Sequence, residues 1–124
     1  MTERIYTIEI EPEVRLWLTN LPRDQYDRVE FYADLLAEQA ESLGEPYSRH
    51  LGGKLRELRF HLPSRQVRIT YWIAPQRRVI LLTVFRKTSQ RESSEIERGP
   101  RAQAQCEARH QHARDIYDRD KEER

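Results

Sequence analysis

The chain has little of what metal sites, disulfides and membrane spans are made of. Its single cysteine, Cys106, excludes an internal disulfide and cannot form a thiolate metal site by itself. Its four histidines are scattered without metal-ligand spacing. No stretch approaches the roughly 18 apolar residues that a membrane span requires. We therefore expect no metal, no other cofactor and no membrane contact. We also expect a cytoplasmic location, since residues 1–4 run into a strand pattern without a signal-peptide core.

Carboxylates are almost absent from the middle of the chain. Residues 46–91 contain 11 lysines and arginines but only one acid, Glu57. Residues 1–45 hold 4 basic against 11 acidic residues, and residues 92–124 hold 7 against 9. The total of +1 therefore hides a strongly basic middle. A basic segment of this kind is typical of an anion-binding surface, and nucleic acid is the polymeric anion that it favours.

The first half of the chain predicts one strand and two helices. Residues 5–10 are β-branched and aromatic, which indicates a strand. Pro12 begins a short helix, and apolar residues spaced by three and four from position 23 to 43 predict a long amphipathic helix. Gly44 follows as a suitable end of that helix.

The basic middle predicts three strands, over residues 54–62, 66–74 and 77–85, joined by links short enough for antiparallel hairpins. The third strand is apolar on both faces, so we expect it inside the sheet. A helix is predicted from about Gln90, interrupted at Gly99–Pro100, before a charged tail that extends into solvent. The predicted fold class is α+β: a small, mostly antiparallel sheet, with two N-terminal helices on one face and a C-terminal helix. Residues 1–98 would form the domain and residues 99–124 a charged extension.

Alternation along the strands places Glu57, Arg59 and Arg68 on one face. If the helices cover the apolar face, these side chains and Trp72 lie on the open face. Arg86 and Lys87 would leave the last strand beside them, with Lys54 at the rim. Such a cluster suits RNA cleavage without a metal, because guanidinium groups stabilise the charge that builds on phosphate when a 2′-hydroxyl attacks phosphorus.

The general base for that attack is left open by the sequence. Glu57, His61 or a lysine with cationic neighbours are the candidates. A purely structural alternative also stands, in which Glu57 and Arg59 pair with cross-strand neighbours on a solvated sheet face.

Three motifs in order give the chain a resemblance to a known family: Glu-Leu-Arg at 57–59, Arg-x-x-Tyr at 68–71 and Leu-Leu-x-x-Phe-x-Lys at 81–87. Over residues 5–96 the sequence resembles toxins of the RelE/ParE superfamily, specifically the HigB-like, phage-derived branch. The resemblance implies a RelE-like fold and a type II toxin–antitoxin system. It further implies a ribosome-dependent, metal-independent endoribonuclease that cleaves mRNA and so inhibits translation.

The resemblance also implies site residues and partners. The predicted catalytic set combines the positions carried over by the resemblance with the candidate base: Arg59, Arg68, Arg86, Lys87 and Glu57. Further RNA contacts are expected from Lys54, Arg56, His61, Arg65 and Arg91. The expected partners are the ribosome with its mRNA and a HigA-like helix-turn-helix antitoxin, with operator DNA bound only by the toxin–antitoxin complex.

Two other functions fit the same residues. A ParE-like protein would inhibit DNA gyrase and cut no RNA, and a regulatory module would bind nucleic acid without chemistry. The basic set of Arg59, Arg68, Arg86 and Lys87 favours RNA cleavage, because a gyrase inhibitor needs no phosphate site. Arg68→Ala and Lys87→Ala are expected to abolish toxicity with the fold intact, since both side chains are predicted to be exposed.

Overall fold

A computed structural model describes residues 5–63, 65–86, 89–109 and 115–116. The elements in chain order are β1 (Thr7–Ile10), α1 (Pro12–Thr19), α2 (Arg23–Gln39), β2 (Ser48–Gly52), β3 (Leu55–Leu62), β4 (Arg65–Ala74), β5 (Arg78–Arg86), α3 (Ser89–Arg109) and β6 (Asp115–Ile116). The predicted α+β class is confirmed, with two N-terminal helices and one C-terminal helix around a mostly antiparallel sheet.

The sheet has the strand order β2-β3-β4-β5-β1-β6. Among the strands of the described residues, four neighbouring pairs are antiparallel and one, β1 with β5, is parallel. The predicted interior position of β5 is confirmed, since it lies between β4 and β1. Its residues Val79, Ile80, Leu81 and Leu82 are all buried, which explains why the strand is apolar on both faces.

The helices α1 and α2 cover one face of the sheet. Val14 and Leu18 of α1, and Val29, Ala33 and Leu36 of α2, are buried in one cluster with alternate residues of the central strands. Their spacing of three and four residues is what turns them all toward the sheet. Of the acidic residues of α2, Asp24 and Asp27 are exposed, whereas Glu30 is buried, so the expectation of a fully solvated acidic face does not hold at Glu30.

Helix α3 covers the other face. Ala102 and Cys106 pack in a second cluster with Leu55, Trp72 and Leu82 of the sheet. The sheet therefore has an apolar core on both sides. The expectation that this face is open is therefore wrong where α3 packs on it. Alternation along a strand shows which residues share a face, but not whether another element covers that face.

Gly99–Pro100 does not interrupt α3, contrary to the prediction, and the expected boundary between residues 98 and 99 falls inside this helix. The contact with the sheet explains why the helix continues. A Cβ atom on Gly99 would lie 3.2 Å from Leu55 Cδ2 and 3.3 Å from Thr70 Cγ2. The bare glycine thus lets the helix approach the strands closely, and this packing stabilises a segment whose local sequence favours a break.

Two strands were not predicted. β2 is polar and ends in glycine, and it forms because it pairs with β3. β6 pairs with β1 at residues that were assigned to the solvated tail. Residues 117–124 of that tail lie outside the described residues. Within the described part of the chain, no helix is both long and apolar enough to cross a membrane.

Candidate functional site

Glu57, Arg59 and Arg68 form a charged triad on β3 and β4, and the predicted clustering of these three side chains is seen. Arg59 and Arg68 are directly opposite each other across the two strands. Glu57 precedes Arg59 by two residues, so it lies on the same face. Its Oε1 atom is 3.8 Å from Arg59 Nε and 3.7 Å from Arg68 Nε. One carboxylate therefore lies between two guanidinium groups, and the triad keeps a net positive charge.

The members of the triad differ sharply in exposure. Arg68 is only 3 % exposed and Glu57 only 6 %. Arg59 retains 24 % of its side-chain surface. The prediction that Arg68 is exposed is therefore wrong, and the same holds for Trp72, which is buried beneath α3. Of the three charged residues, Arg59 is the one that a phosphate in solution can reach directly.

Gln66 belongs to this site and was not predicted. Its Oε1 atom accepts a hydrogen bond of 3.3 Å from Arg68 Nη2, while Arg68 Nη1 donates to the Val67 carbonyl at 3.5 Å. The alternation of β4 already places Gln66 on the face of Arg68, and this was the signal available in the sequence.

Lys54 lies at the other end of this face, away from the triad. Its Nζ atom pairs with a carboxylate oxygen of Glu107 on α3 and stands 5.8 Å from the centre of the Trp72 ring. Gln103 donates a hydrogen bond of 2.9 Å to the same carboxylate group. The positive charge of Lys54 is thus partly neutralised by the helix that covers the sheet.

Arg56 and Arg65, two of the predicted RNA contacts, lie away from the triad, toward α2. Arg56 Nη1 donates to the Ala40 carbonyl at 3.1 Å, just beyond the end of α2. Arg65 Nη2 donates to Gln25 Oε1 on α2 at 2.8 Å. Both side chains therefore hold α2 against the sheet.

His61 is exposed near the end of β3, and its carbonyl oxygen accepts a hydrogen bond of 3.1 Å from Arg28 Nε. It lies on the strand of the triad, two residues beyond Arg59. Lys87 lies outside the described residues, and only the backbone positions of Arg86, at the end of β5, and Arg91, in α3, are described.

A groove of about 680 Å³ opens at the turn between β4 and β5, lined by Lys54, Trp72 and Arg77 among others. The triad does not contribute to its walls. Among the described residues, no group of three or more histidines, cysteines or acids is arranged to hold a metal ion.

The arrangement can bind an anion through Arg59, supported from behind by the buried charges of Glu57 and Arg68. A guanidinium group offers parallel N–H donors that match two oxygens of a phosphate. In comparisons with known proteins, residues 16–103 match the family described as phage-derived protein Gp49-like (DUF891). No curated protein matches the chain.

Proposed function

Since the chain belongs to the phage-derived Gp49-like family, a family of RelE/ParE-like toxins with antitoxin partners, we propose that it is a ribosome-dependent endoribonuclease that cleaves mRNA without a metal. As a HigB-like toxin it would inhibit translation until a helix-turn-helix antitoxin binds it. The match runs from within α1 to within α3, so it includes every residue of the triad.

The observation that supports this activity most is the Arg59–Arg68 pair. Like charges directly opposite each other on neighbouring strands repel, and they are destabilising unless an anion lies between them. Glu57 supplies one negative charge for two guanidinium groups. A phosphodiester at Arg59 would supply the second, and more strongly so when the transferring phosphate gains charge in the transition state.

The proposed reaction is attack of a ribose 2′-hydroxyl on the adjacent phosphorus. The 2′-oxygen forms a bond to phosphorus, the bond to the 5′-oxygen breaks, and the products carry a 2′,3′-cyclic phosphate and a 5′-hydroxyl. The proton leaves the 2′-oxygen, and the departing 5′-oxygen takes up another. Arg59 would hold the non-bridging oxygens, and the reaction consumes no water in this step.

Expression in cells with primer extension on a reporter mRNA tests the proposal. Wild type should stop growth and give new 5′ ends at a fixed position in the reading frame, whereas Arg59→Ala should give neither. Arg23→Ala is the matched control, because it removes an exposed arginine of α2, which packs on the opposite face of the sheet. Arrest without mRNA cleavage would favour a gyrase inhibitor, and no arrest would favour a non-catalytic binding module; either result would reject the proposal.

A further inference from the structure

The two arginines of the triad differ in what they contact. Arg68 has its terminal nitrogens engaged by Gln66 and the Val67 carbonyl, inside the protein. Arg59 contacts Glu57 through Nε, at the inner end of its guanidinium group. Among the described residues, none accepts a hydrogen bond from the terminal nitrogens of Arg59. These are the donors that a phosphate would meet.

The position of Glu57 sets the orientation of Arg59. The Glu57 side chain is only 7 % exposed, and its Oε1 atom lies at the Nε edge of both guanidinium groups. An arginine side chain in solvent samples many rotamers, and the ion pair with Glu57 restricts them. Arg68 Nε contacts the same carboxylate oxygen, so Arg68 acts on Arg59 through Glu57.

We propose that Arg59 alone of the triad contacts the scissile phosphate, and that Glu57 and Arg68 are positioning residues which hold its guanidinium group in place. This inference rests on the proposed RNA cleavage, and it reassigns Glu57, which the sequence offered as a general base. A base must come within about 3 Å of the 2′-hydroxyl. The carboxylate of Glu57 is instead enclosed between two guanidinium groups and the sheet.

A double-mutant cycle separates the two roles. Single-turnover cleavage of ribosome-bound mRNA is measured for wild type, Glu57→Gln, Arg59→Ala and the double variant. Arg59→Ala should slow cleavage roughly 100-fold or more, as the loss of a transition-state donor does. Glu57→Gln should slow it about tenfold in the wild-type background and produce no further loss when Arg59 is absent. An equal loss in both backgrounds would overturn the inference.

The pH dependence of the cleavage rate gives a second measurement, and a structural defect alone would not change its shape. If Glu57 positions Arg59, Glu57→Gln lowers the rate by one factor across the pH range in which the carboxylate is ionised, and the profile keeps its shape there. If Glu57 is the base, the residual rate of Glu57→Gln instead rises with pH across that range, because hydroxide must take the place of the base, and the proposal fails. Glu45→Gln, which neutralises an exposed acid of the loop before β2, is the matched control and should leave the rate unchanged.

A measurement without catalysis keeps this inference distinct from the proposed function. NMR of the arginine Nε–H groups is recorded while a 2′-O-methyl RNA oligonucleotide, which cannot be cleaved, is titrated into the protein. The Arg59 resonance should shift, and Glu57→Gln should accelerate its exchange with solvent. A shift at Arg68 without one at Arg59 would contradict the assignment. A wild type that shows the Arg59 shift but cleaves no mRNA would reject the nuclease and keep the anion site.

Discussion

Arg68 is a residue of the site whose buried charge also affects the stability of the fold. It is 3 % exposed, and its neighbour Glu57 is buried against it. Burying a guanidinium group is unfavourable unless charged and hydrogen-bonding partners compensate, and here Glu57, Gln66 and a carbonyl do so. The residue is therefore part of the fold as well as part of the site.

Arg68→Ala should destabilise the protein, contrary to the expectation from the sequence that the fold is unaffected. Removing one member of a buried ion pair leaves the other charge in a poorly solvated position, which costs about 3 kcal/mol in the free energy of unfolding. Arg59→Ala should cost less than 1 kcal/mol, since that side chain is partly exposed. Urea unfolding of both variants measures the difference, and equal losses would show that burial does not distinguish the two arginines.

Tyr71 is a second buried polar group, on the opposite face of the sheet. Its hydroxyl shares a hydrogen bond of 2.5 Å with Ser48. Burial raises the pKa of the Tyr71 phenol above its ordinary value of 10, although the Ser48 hydrogen bond and Arg56 oppose this rise. The folded state therefore holds the phenol proton more tightly than the unfolded state does.

This shift predicts a loss of stability in alkali. The contribution of Tyr71 is fully present below pH 10 and disappears as the pH rises through the raised pKa of the folded protein. Wild type should lose free energy of unfolding more steeply above pH 10 than Tyr71→Phe. At neutral pH the variant should lose about 1 kcal/mol, because the Ser48 hydroxyl loses its partner. Tyr47→Phe, at an exposed tyrosine, is the control, and an alkaline slope unchanged by Tyr71→Phe would contradict the prediction.

Among the helices and strands, α3 departs most from what the sequence predicts. It packs along β3, β4 and β5 and carries Glu107 to Lys54 and Arg98 to Glu13. Arg98 Nη2 reaches Glu13 Oε2 at 2.9 Å, and the same carboxylate oxygen accepts the Val84 amide at 3.0 Å. The helix is thus joined to both α1 and the sheet.

Gly99→Val should loosen this packing. The substitution favours the helix locally, since valine has a higher helix propensity than glycine, but its side chain would press on Leu55 and Thr70. Thr70 has little freedom to move because its hydroxyl is bonded to Thr83 at 2.5 Å. We expect a loss of about 2 kcal/mol in urea unfolding. Ala104→Val on the exposed side of α3 should lose no more than roughly 0.7 kcal/mol; a similar loss in the two variants would show that the contact with the sheet is unimportant.

The elements divide clearly into those that local sequence predicts and those that tertiary contacts create. Regular patterns predicted β3 to β5 and both N-terminal helices, because alternation by two and spacing by three or four report a buried face directly. β2 has no such pattern and exists through its pairing with β3. The continuity of α3 through Gly99–Pro100 depends on contact with Leu55 and Thr70, which lie more than 25 positions away.

The site followed the same division: the strands brought Glu57, Arg59 and Arg68 together as predicted, while the burial of Arg68 depended on surroundings that alternation does not report.

The charge of the molecule is unevenly distributed, although its total is only +1. The arginines of β3 and β4 divide between the two faces of the sheet: Arg56 and Arg65 bond to groups of α2 or next to its end, whereas Arg59 and Arg68 lie on the face of the triad. The excess positive charge at Arg59 can attract RNA to that face.

RNA binding should therefore weaken as salt rises, and Arg59 should account for part of that dependence. Each phosphate contact contributes about 0.7 to the slope of log affinity against log salt for single strands. Binding of a single-stranded RNA oligonucleotide should lose a slope of about 0.7 in Arg59→Ala and none in Arg23→Ala. An unchanged slope in Arg59→Ala would exclude a phosphate contact at that residue.

Cleavage of mRNA by attack of the 2′-hydroxyl, with Arg59 at the phosphate, leaves characteristic ends on the fragments, and these ends test the proposed function directly. Purified protein is added to ribosomes that carry a defined mRNA, and the fragments are analysed by mass spectrometry. We expect in-frame cuts with 2′,3′-cyclic phosphate and 5′-hydroxyl ends, formed about 100-fold more slowly by Arg59→Ala and at an unchanged rate by Arg23→Ala. Fragments with 5′-phosphate ends, or equal cleavage by Arg59→Ala, would contradict it.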